Sequence, residues 1–239
     1  MIYSYTITLV LALAPTVLFA APTKFSSIAD LISRRSIPAQ ALKALEDGNC
    51  DLDALTLPVA PTPLPAPGAG LKVSHIALGR GTQNYTCTTG AASETPTAVG
   101  AIATLYNATC QAVRAPAVLA NITTLALSYA LPTNEIADHL LSGHHLFTAS
   151  GAPFFNMDTE NAQYGWIQAA KNASSPAPTG CSKGTNGLGS VPWLKLNSTS
   201  GDFKEVYRVE TAGGVAPKTC EGLTGAFTVE YSSQYWFFK

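Results

Sequence analysis

The sequence predicts a mainly β domain, an antiparallel β-sandwich or barrel of about nine short strands behind a short helical N-terminal extension. Three observations carry that reading. Apolar and polar residues alternate at period two through much of the chain beyond residue 70. Clusters of Gly, Pro, Ser and Asn punctuate it at intervals of roughly ten residues. The alternating strand and helix units that build a parallel sheet are missing.

The 239 residues divide into four stretches. Residues 1–20 read as a signal peptide: the apolar run 7–21 is shorter than the roughly 20 residues that span a bilayer. Cleavage fits after Ala20, because a cut after Ala21 would put Pro22 at the scissile bond. Residues 21–56 form the helical extension, with Phe25, Ile28, Leu31 and Ile32, then Leu42 and Leu45, at helical spacing between Pro38 and Gly48. Arg34-Arg35 there is read as a solvated pair at a helix end rather than a processing site. Residues 57–70 carry Pro58, Pro61, Pro63, Pro65 and Pro67, which makes them an extended segment. It is either a free linker or a strap with Leu57, Val59 and Leu64 buried. Residues 71–239 are the β domain.

Within that domain a strand runs from Leu71 to Leu78, and Gly79 and Gly81 are expected to bend or bulge the chain. In the strand that follows, Asn84 opens a glycosylation sequon, so its face is solvent and Thr82 and Thr86 share it. Gln83, Tyr85 and Cys87 then point inward. Further strands are expected over 98–106, 121–128 and 164–169, a short helix over 133–141 ended by Gly143, and a hairpin around Ser150-Gly151. Residues 171–190, rich in Ser, Gly, Pro and Asn, read as the most mobile loop. Strands follow over 191–196, 205–210 and 227–231, and 235–238 continues the last one after a bulge at Ser232-Ser233.

Charged residues are 12% of the chain and the net charge is -1, which offers nothing to nucleic acid or an anionic membrane. No apolar stretch after the signal peptide is long enough for a membrane span, so the expected compartment is extracellular. Sequons begin at Asn84, Asn107, Asn121, Asn172 and Asn197, the candidate N-glycosylation sites. The 5 cysteines are Cys50, Cys87, Cys110, Cys181 and Cys220, and in an oxidising compartment they make two disulfides and a leftover thiol. Spacing leaves the connectivity open, and no CxxC pair suggests a zinc or redox site.

No GxGxxG, P-loop or HExxH motif and no GxSxG elbow between a strand and a helix is present, and nothing calls for a cofactor or a metal. The catalytic candidates are His145, Arg208, Tyr85 and Gln83. Adjacent residues on a strand face opposite ways, so His144 and His145 cannot chelate one metal together. The ordinary expectation is one exposed histidine and one hydrogen-bonded inside, although Asp158 or Glu160 could approach a single histidine as general base or ligand. An inward Arg208 needs a carboxylate or backbone partner, or acts as a ligand clamp. Buried Gln83 and Tyr85 need partners, either an internal network or a ligand. Trp193, Trp236, Tyr85, Tyr207, Tyr231 and Tyr235 lie on strands, where an exposed row would stack on sugars and a buried one is packing.

Several blocks together resemble one family: Gly79-Arg80-Gly81-Thr82-Gln83-Asn84-Tyr85-Thr86-Cys87, Gly143-His144-His145-Leu146-Phe147, Val191-Pro192-Trp193-Leu194-Lys195-Leu196, the stretch from Val206 to Pro217 followed by Thr219-Cys220, and Tyr235-Trp236-Phe237-Phe238. The resemblance, over about residues 57–239, is to a domain-of-unknown-function family of secreted fungal proteins with bacterial relatives. Many of its fungal members carry the label malate dehydrogenase. It implies a secreted β domain with no established activity, and it pairs Cys87 with Cys220. That leaves Cys50 with Cys110 and Cys181 free.

The functional expectation is a secreted glycoprotein, a non-catalytic cell-wall or extracellular binding domain whose partner is polysaccharide or a surface protein. The alternative is an extracellular hydrolase or lyase with a pocket near His145. A malate dehydrogenase, the third reading, is disfavoured because the chain lacks the sequence pattern that a dinucleotide fold requires.

Overall fold

A computed structural model of the chain describes residues 50–131 and 135–239. The signal peptide expected over 1–20 and most of the helical extension expected over 21–56 lie outside the described residues. Strands β1 (Val73–Cys87), β2 (Thr97–Asn107), β3 (Leu141–Phe147), β4 (Pro153–Asp158), β5 (Gln163–Ser175), β6 (Trp193–Gly201), β7 (Glu205–Gly213) and β8 (Gly225–Phe238) form a closed barrel. Each strand pairs antiparallel with the next, and β8 closes on β1. The architecture is therefore an up-and-down barrel of eight strands, not a sandwich and not nine strands. Closure leaves no unpaired edge, which a sandwich of the same strands would expose.

The count falls short of nine for two reasons. The first is in β1, where Gly79 and Gly81 neither bend nor bulge the chain. Register with β8 runs unbroken from Ala77↔Tyr235 to Cys87↔Gly225. The glycines clear space instead: a Cβ on Gly79 would lie 2.5 Å from the Tyr235 ring, and one on Gly81 1.9 Å from the Ile102 carbonyl. The second is residues 121–128, expected as a strand. Most of that stretch lies in helix α2 (Pro116–Ala126), which follows helix α1 (Thr109–Arg114). The β-branched run Ile122-Thr123-Thr124 suggests a strand, but Pro116 sits in the first turn, where a missing N–H costs nothing. Leu119, Thr123 and Leu127 recur every four residues and are the buried positions. Arg80 donates from Nε to the Ala126 carbonyl (3.0 Å) at the helix C-terminus, and the Ser232 hydroxyl donates to the Thr123 carbonyl. Tertiary contacts thus decide the helix.

Helix α3 (Glu135–Leu140), the β3–β4 hairpin and the three C-terminal strand positions agree with the sequence reading. The loop expected over 171–190 does not begin at 171, since β5 extends through Ser175. The rest of it is tied down: Gly213 N–H donates to Ser182 O at 3.0 Å, and Val191 N–H to Gly213 O at 2.9 Å. The expected bulge at Ser232-Ser233 lies on the partner strand, between Val209 and Ala212 of β7, where Glu210 has φ 49°.

Side chains divide by parity. Inside the barrel, Ala77, Ala101, Ala103 and Leu105 face Phe155, Ile167, Leu196, Val206, Tyr231, Tyr235 and Phe237. Small residues on β1 and β2 opposite large rings on β8 fill the narrow interior of an eight-stranded barrel. Outside, Trp193, Tyr207, Val209, Trp236 and Phe238 are buried under a second layer made by Ala60, Leu57, Leu64, Ala112 and Leu119. The Pro-rich segment is thus a strap. Val59, expected to be buried, is 84% exposed, and Ala60 takes that place at 6%. Lys195 Nζ pairs with Glu205 at 2.9 Å and donates to Ala66 O at 2.7 Å, while the Tyr207 hydroxyl donates to Pro65 O at 2.7 Å.

The disulfides are Cys50–Cys110 and Cys87–Cys220, with Cys181 free. They span 60 and 133 residues, which in the chain-entropy model corresponds to at most about 4–5 kcal/mol each. The second one joins the end of β1 to the segment before β8. The turn after Cys87 is organised by Glu94, whose carboxylate accepts the N–H groups of Thr88, Thr89 and Gly90 and the Thr89 hydroxyl. Those bonds, the Thr89 hydroxyl foremost, hold its pKa down to about 2.

Candidate functional site

The barrel brings Gln83, Tyr85, His145 and Arg208 to one lumen. Gln83 pairs across the sheet with Ala101, and His145 with Ala103 and Phe155. Arg208 pairs with Tyr235. All those partners line the interior, and directly opposed residues share a face. Register links His145 to Tyr231 through Ala103 and Gly81. The two residues between them are small. The strand phase set by Asn84 holds: Thr82 and Asn84 share the outer face, with the Thr82 hydroxyl donating to Asn84 Oδ1 at 2.9 Å.

The histidine pair splits as strand geometry requires. His144 is exposed on the outside. His145 is buried, stacked on Phe155 at 4.1 Å between ring centroids, with Nδ1 2.9 Å from the Phe154 carbonyl. Burial pushes its pKa down to about 4. The carbonyl bond opposes that shift and the charge of Arg208 adds to it, so the ring is neutral at pH 7. Asp158 does not serve it: Oδ1 accepts Gly165 N–H at 2.8 Å within the β4–β5 turn. Glu160 is exposed in that same turn. Among the described residues no three His, Cys, Asp or Glu side chains come together as a metal site.

Arg208 sits at the centre of the lumen electrostatically. Its charge lowers the pKa of His145, Tyr85 and Tyr231. For the two tyrosines burial is the larger effect, and both phenols end above their ordinary value. The side chain is 8% exposed, and Nη2 donates to the Pro192 carbonyl at 2.8 Å. Its Nε has no hydrogen-bond partner, and neither do Gln83 Nε2 and Ser233 Oγ. The Gln83 amide is near enough to Tyr231 to lower its pKa, yet Nε2 makes no hydrogen bond of normal length. The other polar groups are satisfied: the Tyr231 and Tyr235 hydroxyls are 2.7 Å apart, and Tyr85 donates to Gly214 O at 2.7 Å. Gly214 lies directly on the site, since a Cβ there would be 3.0 Å from Gln83 Cγ and from Tyr231 Cβ.

Ser233, Tyr231 and Tyr235 were not among the sequence candidates for catalysis. Unbroken period two from Phe227 to Phe237 would have put all three on one face. The bulge assigned to Ser232-Ser233 hid that.

The strand aromatics expected as a sugar platform are mostly packing. Trp193, Trp236, Tyr207, Tyr231 and Tyr235 are all buried, and Tyr85 is half-buried against Phe227. Trp166 is instead the exposed tryptophan among the described residues, at 37%, 5.9 Å from the Phe154 ring on the outer face. Nearby, an open groove of about 720 Å³ is lined by Arg80, Thr82, Ile102, Thr104, Leu127 and His144. Arg80 is fully used there, pairing with Glu230 at 2.7 Å and bonding Gly81 O and Ala126 O.

Of the sequon asparagines, Asn121, Asn172 and Asn197 are exposed and Asn84 is half-buried. Asn107 is buried, and its Nδ2 donates to the Tyr164 hydroxyl at 3.3 Å, a bond that a glycan on that nitrogen would have to displace.

Fold and site together define a small, closed, disulfide-bonded antiparallel barrel with polar side chains inside it. The chain belongs to the family described as protein of unknown function (DUF3455), whose model matches residues 67–239. No curated protein and no solved structure matches it.

Proposed function

We propose that this chain is a secreted, non-catalytic binding protein that takes a small molecule into the barrel lumen. One observation carries the reading: three interior polar atoms, Gln83 Nε2, Arg208 Nε and Ser233 Oγ, are left without partners. Buried polar groups in folded proteins are nearly always satisfied, so orphans on three strands of one lumen call for an outside partner. The signal peptide, the exposed sequons and two disulfides support an extracellular setting. Against catalysis, the neutral His145 is stacked on Phe155 with Nδ1 on the Phe154 carbonyl, and among the described residues no carboxylate orients it. The antiparallel meander also contains no strand–helix–strand unit of the kind a dinucleotide fold uses. A fragment screen by thermal shift, followed by crystal structures of the hits, tests the reading. Density against Arg208 and Gln83 is expected. Hits confined to the outer surface, or no hits, retire it.

A second reading keeps polysaccharide as the ligand and moves it outside, to exposed Trp166 and half-buried Phe154 with Asn156 and Gln168 on the same face. Retention on chitin, β-glucan or cellulose that is lost in Trp166→Ala would support it. No retention on any of the three counts against it.

A further inference from the structure

The lumen holds the charged side chain of Arg208, and among the described residues no carboxylate answers it. The acids of the neighbouring strands and turns face elsewhere. Glu205 pairs with Lys195 under the strap, and Glu230 pairs with Arg80 outside. Asp202 accepts the Trp166 N–H, and Asp158 that of Gly165. Glu210 lines an outer hollow with Gln234 and Trp236. An arginine keeps its charge in any protein environment, and a buried charge without a counter-charge is costly. Arg208 has one backbone acceptor for a guanidinium with five N–H donors.

We propose that the lumen is a carboxylate-binding site, in which Arg208 takes the anionic end of a small organic acid, with the Gln83 amide, which like Arg208 lies near Tyr231, as a neutral donor. This rests on the lumenal reading above and adds the ligand's charge and class. A monoanion fits better than a phosphate dianion. His145 is neutral at pH 7 and brings no second positive charge, so a dianion would leave one negative charge buried. The body of the acid is apolar, since Ala101, Ala103, Phe155 and Val229 line the wall beside Tyr231 and Tyr235, whose hydroxyls bond each other.

The test is an NMR titration of the oxidised, secreted protein at pH 7, reading the Arg208 Nε–H resonance. Acetate, isobutyrate and benzoate are each compared with the corresponding neutral amide, and inorganic phosphate is added separately. At least one acid should shift that resonance saturably and bind at least tenfold more tightly than its amide. Phosphate should bind more weakly than that acid. In Arg208→Gln the acid's preference over the amide should fall to within twofold. Amides that bind in the lumen as well as their acids would overturn the carboxylate assignment while leaving a lumenal ligand intact. No binding by any probe, with only ordered water on Arg208 Nε in a crystal structure, would remove both. If Arg208→Gln fails to fold, the acid-against-amide ratio on the unaltered chain still decides.

Discussion

Two cations are buried on neighbouring strands of this barrel, and they are treated differently. Lys195, on the outer face of β6, has Glu205 at 2.9 Å and the Ala66 carbonyl at 2.7 Å. Arg208, on the inner face of β7, has the Pro192 carbonyl and an idle Nε. Lys195 is a fastener, holding the Pro-rich strap to the barrel with the help of the Tyr207 hydroxyl. Arg208 fastens much less, because a side chain that only braces a fold has its donors used. A buried charge that is fully paired points to structure, and one that is half-paired points to a missing partner.

The largest effect should come from breaking the paired side. Glu205→Ala leaves Lys195 buried without its carboxylate and strips an acceptor from Gly68 N–H. Removing one partner of a buried pair costs about 3–5 kcal/mol. Urea unfolding should show that loss, and limited proteolysis should cut within residues 55–67, where the strap is no longer held. An unchanged midpoint would mean that apolar packing alone holds the strap.

Acid should come next. His145 titrates at about 4 and His75 at about 3, both below the ordinary 6.5 and both chiefly through burial. The unfolded chain therefore binds these protons more readily than the folded one. The stability each contributes is whole above pH 6.5 and is lost as pH falls toward 4 for His145 and toward 3 for His75. For His145 the span is worth roughly 3 kcal/mol. The two differ in their neighbours. His75 has Ser142 Oγ and Thr109 Oγ1 on its two ring nitrogens and feels Lys239, while His145 feels Arg208. In Arg208→Met, NMR titration should find the His145 pKa raised and that of His75 unmoved.

How far the sequence was legible follows from the same physics. Period two is a local signal, and it placed Gln83, Tyr85 and Cys87 inward once one sequon fixed the phase of β1, while it left open which of His144 and His145 faces in and whether Arg208 does. The resemblance supplied the Cys87–Cys220 pairing that spacing could not. Closure was not legible, because it depends on β1 meeting β8 across the whole domain. Nor was α2, whose β-branched residues favour a strand and whose helix is held from outside by Arg80 and Ser232. The glycines of β1 were read by their usual role in bends. The role of Gly79 depends on Tyr235, more than 150 positions away, and that of Gly81 on Ile102, and no local pattern shows either.

That glycine role gives a mid-sized prediction. In Gly79→Ala the new methyl would meet the Tyr235 ring at 2.5 Å and Leu105 at 3.1 Å. The ring is packed between Phe155 and His145 and hydrogen-bonded to Tyr231, so it cannot swing away freely. Overpacking of this kind costs about 1–3 kcal/mol. Thermal unfolding should show it, and the near-ultraviolet tyrosine signal should change. Pairing Gly79→Ala with Tyr235→Leu should recover part of the loss, because the clash is with that ring.

The smallest expected change is the most telling, because its sign opposes that of Glu205→Ala. Arg208→Met removes a buried charge with no carboxylate beside it, and fills most of the same volume with an apolar chain. The Pro192 carbonyl loses its donor, which costs about 1–3 kcal/mol if the group stays buried. Against that stands the desolvation of a guanidinium with one acceptor, several kcal/mol in a protein interior. The two nearly cancel, so ligand-free protein should be unchanged or more stable by about 1 kcal/mol in urea. A loss of the size expected for Glu205→Ala would make Arg208 a fastener like Lys195 and end the contrast between the two faces of the barrel. A neutral or positive change leaves the cost of keeping an arginine there unexplained by the fold, and a ligand in the lumen is what would offset it.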